Sequence, residues 1–531
     1  MNKIALAVLI LCFAPAQGKA QQIVYSSSLG NSATARCHII GMVKDHIVIW
    51  NFNFGKFGHS YIMIYDTNLK LSRKVRTNIL KSDTLYGIDF IQSRDHFCVF
   101  YQYRKNKSYF ARLAWFDENG NCTRIKTVDS TSLNANSAEI IKYPVGVIQS
   151  RESGSFALVK VIPNLEKSSI NVKYSLYNDS LIHSGEVKLP FDYNTGNINS
   201  FILDEKKDLW LTETENNNSG SLVRVYKINT LTDSVTNTVR NIGNGHLVER
   251  SVNIFVANEK YLVYGEWTSP FDSSSSATSI KGIFVWQLHP DLTDVSTDTV
   301  LEISAATDSC LTGKNFFTLQ ALPSADNEFS FAIGPGRLFK SFFYNGPYDP
   351  SDIYSYRNFS LSEPQPLSSP RYSSFVPVGN GLYKDIYYRS PDPFRTYSEH
   401  RPHRLPSDSV GPILIGDIIT GVVNINSQNK IMWRSCFLKA MNTPTASANA
   451  SVAVVGQKAL HIIYTKTPVN NTESLEKVSV APDGSFSLSP IISMNLNYRF
   501  IIGMARPISG TAIIVPCIKN DRLAFAKIEI E

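Results

Sequence analysis

Nine of the 25 tyrosines fall between Tyr344 and Tyr397, interleaved with Pro, Asp and Arg, as in FFYNGPYDPSDIYSYR and DIYYRSPDPFRTYSEHRPHR. Tyrosine offers a flat apolar ring and a hydrogen-bonding hydroxyl at low entropic cost, which suits sugar rings and peptides. Arginine adds a planar fork of donors for carboxylates. The candidate ligand-binding residues are therefore Tyr348, Tyr354, Tyr356, Tyr388, Arg389 and Arg395, with Trp267, beside Glu266, as a further candidate. The competing reading is that the tyrosines hold down an elaborated loop and that Trp267 is a strand-end packing residue.

Other chemistry has less support. Asp349, Asp352, Asp385, Asp392 and Glu399 lie in the same segment and could supply a carboxylate pair for hydrolysis. His400 and His403 flank Arg401 and Pro402; the proline disrupts helical presentation and no third ligand stands near, so no metal site is expected. The DENGN run at residues 117–121 lacks the alternating ligands and distal Glu of a calcium loop, and reads as a hairpin turn. There is no GxSxG elbow, no HExxH and no phosphate-cradling glycine loop, and no cofactor is expected. Cys37, Cys98, Cys122, Cys310, Cys436 and Cys517 form no CxxC pair, which argues for buried free thiols rather than a zinc or redox motif.

The elements that must position these residues are short. Helical periodicity is nearly absent, and β-branched and aromatic runs alternate with turn residues. One kind of hairpin has a tight polar turn between two apolar strands, as in HIIGMVKDHIVIW around Asp45, FIQSRDHFCVFY around Arg94 and SFILDEKKDLWLTE around Lys206. Further copies centre on Glu152, Glu259, Asp326, Asn380, Gln457 and Ser509, with a mean spacing of 58 residues. Between them lies a second kind, in which an apolar strand turns into a more polar one: ARLAWFDENGNCTRIKTV, VRVYKINTLTDSVTNTV and LEKVSVAPDGSFSLSPI.

Two hairpins per period make a four-stranded antiparallel sheet. One such sheet cannot bury both faces alone, so copies must stack, and a ring of them hides most edges. The pattern resembles a β-propeller across residues 21–531, with no WD series, kelch glycine pair or sialidase-type Asp box to narrow it. The fold class expected is all-β: a single propeller of seven or eight blades, elaborated at about 340–405. Residues 21–27 are strand-like and could close the ring beside the last strand, 523–531.

In such a blade the A–B and C–D turns share one end, and the B–C and D–A connections share the other. The first end carries short charged turns that read as solvated. The second carries longer and more varied loops, where binding residues are usually found. It includes residues 53–59, 104–108, 215–219, 266–276, 345–356, 389–404 and 466–472.

Composition sets the remaining bounds. The 531 residues are 43% hydrophobic, 11% aromatic and 18% charged, which excludes disorder as the overall state. The start, MNKIALAVLILCFAPAQGKA, has a basic residue, an apolar run of ten and small residues before a cleavage point after Ala20. Residues 1–20 are thus expected to be a signal peptide, and the product to be exported, periplasmic or secreted. Losing Lys3 and Lys19 leaves 50 basic against 45 acidic residues, too dilute a balance for a nucleic-acid partner. No later segment reads as a spanning helix. The function expected is a binding or interaction module for a glycan or an extracellular protein. A carbohydrate-active hydrolase or lyase is the alternative, and a structural envelope protein the third reading.

Overall fold

The computed structural model describes most of residues 23–302 and 451–530, and between them only the strands at 318–323, 329–334, 377–378, 382–383, 421–425 and 431–436. Every regular element of more than one residue among these is a strand. No helix among the described residues is long and apolar enough to cross a membrane.

The strands form a propeller. Seven consecutive antiparallel sheets, each with a four-strand path A–B–C–D, occupy residues 35–77, 84–132, 146–190, 196–243, 246–302, 318–436 and 451–490, and are numbered blades 1 to 7. An eighth sheet closes the ring from both ends of the chain. In it Arg522–Glu529 pairs on one side with Ala512–Lys519 and on the other with Ile23–Tyr25 and Leu29–Asn31. The expected closure by the N-terminal strand is therefore present, with Ile23 opposite Ile528 and Tyr25 opposite Ala526.

The tight apolar hairpins are the A–B pairs, and eight of the nine centres found in the sequence fall in the chain where strand A gives way to strand B. The exception is Asn380. It lies between Pro377–Val378 and Leu382–Tyr383, a small separate hairpin within blade 6, where the chain runs through residues 335–420 between strand B (Phe329–Gly334) and strand C (Gly421–Ile425). A local turn signal is the same whether the hairpin belongs to a blade or to an insertion, so sequence could not separate them.

Blades 1 to 4 and the closing sheet bury both faces against their neighbours. Blades 1 and 2 share Trp50, Ile62, Phe97 and Phe116; blades 3 and 4 share Val172, Leu176, Leu209 and Ile228; blades 4 and 5 share Trp210, Val225, Val263 and Trp286. The closing sheet packs against blade 1 through Ile514 and Phe525, and against blade 7 through Ile513 and Val515. A fully buried large apolar side chain contributes roughly 1.5–3 kcal/mol. The outermost D strands are polar because only their inner edge is covered: Leu71–Thr77 is mostly exposed, while its partner Ser60–Tyr65 is mostly buried. Of the described cysteine side chains, Cys37, Cys98 and Cys517 are buried free thiols and Cys122 is an exposed one.

Around the axis, side chains of the A strands hold neighbouring backbones. Gln92 donates to the Met42 carbonyl at 2.6 Å, Gln149 to the Gln92 carbonyl, and Arg506 to the carbonyls of Ile39 and Ile40 at 2.8 and 2.9 Å. Gly41, at φ +132, makes the first possible, since a Cβ there would lie 2.2 Å from Gln92 Oε1.

The A–B/C–D end is not merely solvated. Each C–D turn of blades 2 to 5 leans on the blade before it. Glu118 meets Lys44 at 2.9 Å, and Arg124 donates to the Asp179 carbonyl at 2.6 Å. Asp233 accepts from Tyr174 and lies 3.2 Å from His183, and Asp294 accepts from Arg240 at 2.5 Å. Asp117 closes the DENGN hairpin by accepting from the backbone of Asn119 and Asn121 at 3.0 and 2.7 Å.

Candidate functional site

At the B–C/D–A end, polar side chains of blades 2 and 4 clamp the chain where it enters blades 3 and 5. Gln102, near the end of strand B of blade 2 (His96–Lys105), both donates to and accepts from the backbone of Val145, at 3.0 and 3.2 Å. In blade 4, Asn216 donates to the Leu247 carbonyl at 3.2 Å and Ser221 Oγ accepts from the Leu247 amide at 2.8 Å. Within blade 5, Thr268 donates to the His246 carbonyl at 3.0 Å and ties the first strand to strand B. Burial makes these bonds necessary: a backbone group entering the ring without a partner costs about 1–3 kcal/mol.

Strand B of blade 5, Lys260–Thr268, ends in Glu266, Trp267 and Thr268 at this face, all buried. Trp267 packs between blades 4 and 5 with Val223, Ile242 and Leu247. Its indole lies where a Cβ on Gly245 would come within 2.1 Å of Nε1, so residue 245 has to be glycine for the ring to fit. Trp267, expected as a ligand platform, is only 7% exposed, and its ring packs in the interblade core. Glu266 pairs in register with Ile283 and points to the opposite side of the same strand from Trp267. Burial pushes its carboxyl up to about 8, so near neutral pH it is largely protonated.

Blade 2 carries an aromatic stack at the same end. Tyr101, Tyr103 and Phe110 stand ring against ring, with centroids 5.7 and 5.4 Å apart. Arg112, one register step along from Phe110 on the same side of strand C (Ser108–Asp117), lies 5.3 Å from the Tyr103 ring centre and 5.7 Å from that of Phe110. Burial raises the Tyr101 phenol above its ordinary value, and a hydrogen bond from Arg112 opposes the rise. The sequence signal was present in YQYRKNKSYFARLAWF, where aromatics alternate with cations, but the same alternation describes any half-buried strand.

The other expected site residues lie within residues 335–420. Tyr348, Tyr354, Tyr356, Tyr388, Arg389 and Arg395 are outside the described residues. Described on either side are Gly334, where strand B of blade 6 ends, and Gly421, where strand C begins. Strand alternation puts both at the B–C end, opposite the Asp45-type turns. Not every loop at this end is long: blades 2 and 4 turn directly from Lys105 to Ser108 and from Asn217 to Gly220. No group of three His, Cys, Asp or Glu side chains suited to a metal ion occurs among the described residues.

No family model matches the chain, and no curated protein matches it. Solved structures resemble it only distantly. A polysaccharide lyase, Uly1, shares 8% identity over 86% of this chain and 91% of its own, with a TM-score of 0.36. A subtype N10 neuraminidase-like protein of A/little yellow-shouldered bat/Guatemala/060/2010 shares 7% over 82% and 90%, with a TM-score of 0.29. A cobalt-substituted Synechocystis ACO shares 10% over 54% of this chain, with a TM-score of 0.26, and the match spans 66% of its own length, just under two thirds. Likeness at this level carries no argument about a ligand, which has to be drawn from the residues.

Proposed function

We propose that the protein is an exported binding module that holds a glycan or an extracellular protein on the B–C face of the propeller. The observation that carries this reading is where the chain departs from its repeat. Blade 6 alone is opened by so long a segment, residues 335–420, and that segment leaves and returns at the B–C end. It also holds the densest run of tyrosine and arginine in the sequence. Tyr348, Tyr354, Tyr356 and Tyr388 would supply stacking faces, and Arg389 and Arg395 would pair with carboxylates. In support, acidic side chains elsewhere are spent on architecture: Asp204, Glu213, Asp233 and Asp294 each bind donors from their own or a neighbouring blade.

The test is a thermal-shift panel of oligosaccharides on the full chain and on a Tyr388→Ala/Arg395→Ala variant. A glycan held far above its Kd should add a few kcal/mol to apparent stability. That gain should be lost in the variant. Equal gains in both proteins would remove residues 335–420 from the site.

One observation favours the alternative of a carbohydrate-active hydrolase or lyase. A buried carboxyl still protonated near neutral pH, as Glu266 is, suits a general acid. Product formation from a bound oligosaccharide, abolished by Glu266→Gln, would establish it; intact oligosaccharide after long incubation would discard it.

A further inference from the structure

Arginines in the described blades are mostly clasps. Arg224 meets Glu213 and Arg240 meets Asp294, while Arg124 and Arg506 donate to carbonyls of the next blade. Arg112 does none of these things. No carboxylate among the described residues pairs with it, and its Nε–H is buried without an acceptor. What holds it is the Tyr101 hydroxyl and the two rings of Tyr103 and Phe110.

The place is also specific. Arg112 and Phe110 are half-buried, whereas Tyr101 and Tyr103 are 2% and 6% exposed. All four stand on the side of blade 2 that faces blade 1, where Tyr101 and Tyr103 join the core with Ile62 and Trp50, while Arg112 and Phe110 stay partly exposed at its edge. Towards the rim Arg112 is opposite Thr127, which is exposed. A guanidinium lying against aromatic rings keeps its in-plane N–H donors for an oxyanion, and the adjoining ring offers a flat apolar face. A cation that meets no carboxylate among the described residues, beside an aromatic face, fits a sugar that carries an anion better than a neutral sugar.

We infer that the partly exposed Arg112 and Phe110, at the B–C end of blade 2, form a subsite for an acidic sugar, with Arg112 pairing the anion and Phe110 packing against the ring. Arg112 and Phe110 belong to the described blades and not to residues 335–420, so this subsite is separate from the segment proposed above. It rests on the glycan form of that reading. The anion is a uronate carboxylate or a sulfate ester, which share the geometry of paired oxygens.

The experiment uses the full chain with four probes: an oligogalacturonate, a sulfated dextran oligomer, a neutral dextran oligomer and oligoglutamate. Binding is measured calorimetrically for wild type, Arg112→Gln, Arg112→Lys, Phe110→Ala and the Tyr388→Ala/Arg395→Ala variant. One of the two acidic sugars should bind, and Arg112→Gln should weaken it at least tenfold while its melting temperature stays within a few degrees of wild type. Arg112→Lys should recover part of the loss, and Phe110→Ala should weaken acidic and neutral sugars alike. Unchanged binding in Arg112→Gln, equal binding of the neutral oligomer, or binding of oligoglutamate alone would overturn the inference. Glycan binding lost only in Tyr388→Ala/Arg395→Ala would overturn the subsite and keep the module. No glycan binding in wild type would remove both.

Discussion

The hydroxyl of Tyr261 in blade 5 donates to Oδ2 of Asp204 in blade 4 across 2.5 Å, and the Trp210 indole donates to the same oxygen at 2.9 Å. The two rings stack at 3.8 Å, and the other Asp204 oxygen accepts from the Asp208 amide at 2.8 Å. One carboxylate thus closes an A–B turn and joins two blades. Asp204→Ala would leave two aromatic donors in the core without an acceptor, at about 1–3 kcal/mol each. Urea unfolding should show a loss of about 2–5 kcal/mol. A loss below about 1 kcal/mol would mean that water or another acceptor takes over.

Glu213 and Arg224 form a second joint, 3.0 Å apart, with the Tyr226 hydroxyl 3.1 Å from the same Glu213 oxygen and 3.2 Å from the Pro190 carbonyl of blade 3. Burial holds the Glu213 carboxyl above its ordinary range, with Arg224 pulling the other way. Arg224→Met alone strands a buried carboxylate and should cost about 3–5 kcal/mol near pH 7. Glu213→Gln/Arg224→Met should be milder than Arg224→Met by more than 1 kcal/mol, because the charge to be compensated is gone. Additive losses in the double-mutant cycle would refute the coupling.

Glu266 gives a pH dependence with a definite sign. Its folded value of about 8 lies above the ordinary 4.5, so between those limits the folded chain keeps a proton that the unfolded chain has lost. Raising the pH therefore destabilises the wild type through that window, by up to a few kcal/mol in all. Glu266→Gln removes the titration. Its stability relative to wild type should be lowest near pH 4.5 and rise until about pH 8, and a flat difference in unfolding at pH 5, 7 and 9 would show that Glu266 does not titrate there.

Ring closure depends on Ser26. Its amide donates to the Phe525 carbonyl and its Oγ accepts from the Phe525 amide, both at 2.9 Å, while the adjoining Tyr25 ring stacks on Tyr498 at 4.4 Å. Ser26→Ala would orphan a buried amide and should cost about 1–3 kcal/mol. Hydrogen exchange should then show faster opening of strands 512–519 and 522–529 than of blade 4. Uniform loss of protection around the ring would instead indicate that the ring unfolds as one unit with no weak closing sheet.

How much could be read in advance follows the range of the interactions. The strands and their tight turns at Asp45, Arg94 and Lys206 were legible, because period-two alternation and turn chemistry are local properties of the chain. From them came the stacking of sheets, since a sheet with two apolar faces has to be covered twice. The closing strand at residues 23–25 was legible for the same reason. Asn380 shows the limit: its hairpin exists, but whether it belongs to a blade is not written locally.

What tertiary structure alone decided lies one repeat away. Tyr261 and Asp204 are 57 residues apart, Tyr174 and Asp233 are 59, and Arg240 and Asp294 are 54, close to the 58-residue spacing of the hairpins. Their carboxylates read as solvated turn residues until the next blade is set against them. Trp267 became core, Glu266 became a desolvated acid, and no carboxylate among the described residues came to Arg112, all by that same stacking. The sheets follow from local sequence, because backbone pairing and apolar alternation act within a hairpin. Burial and charge pairing were decided in the folded ring, because they depend on which residue of the neighbouring blade arrives opposite.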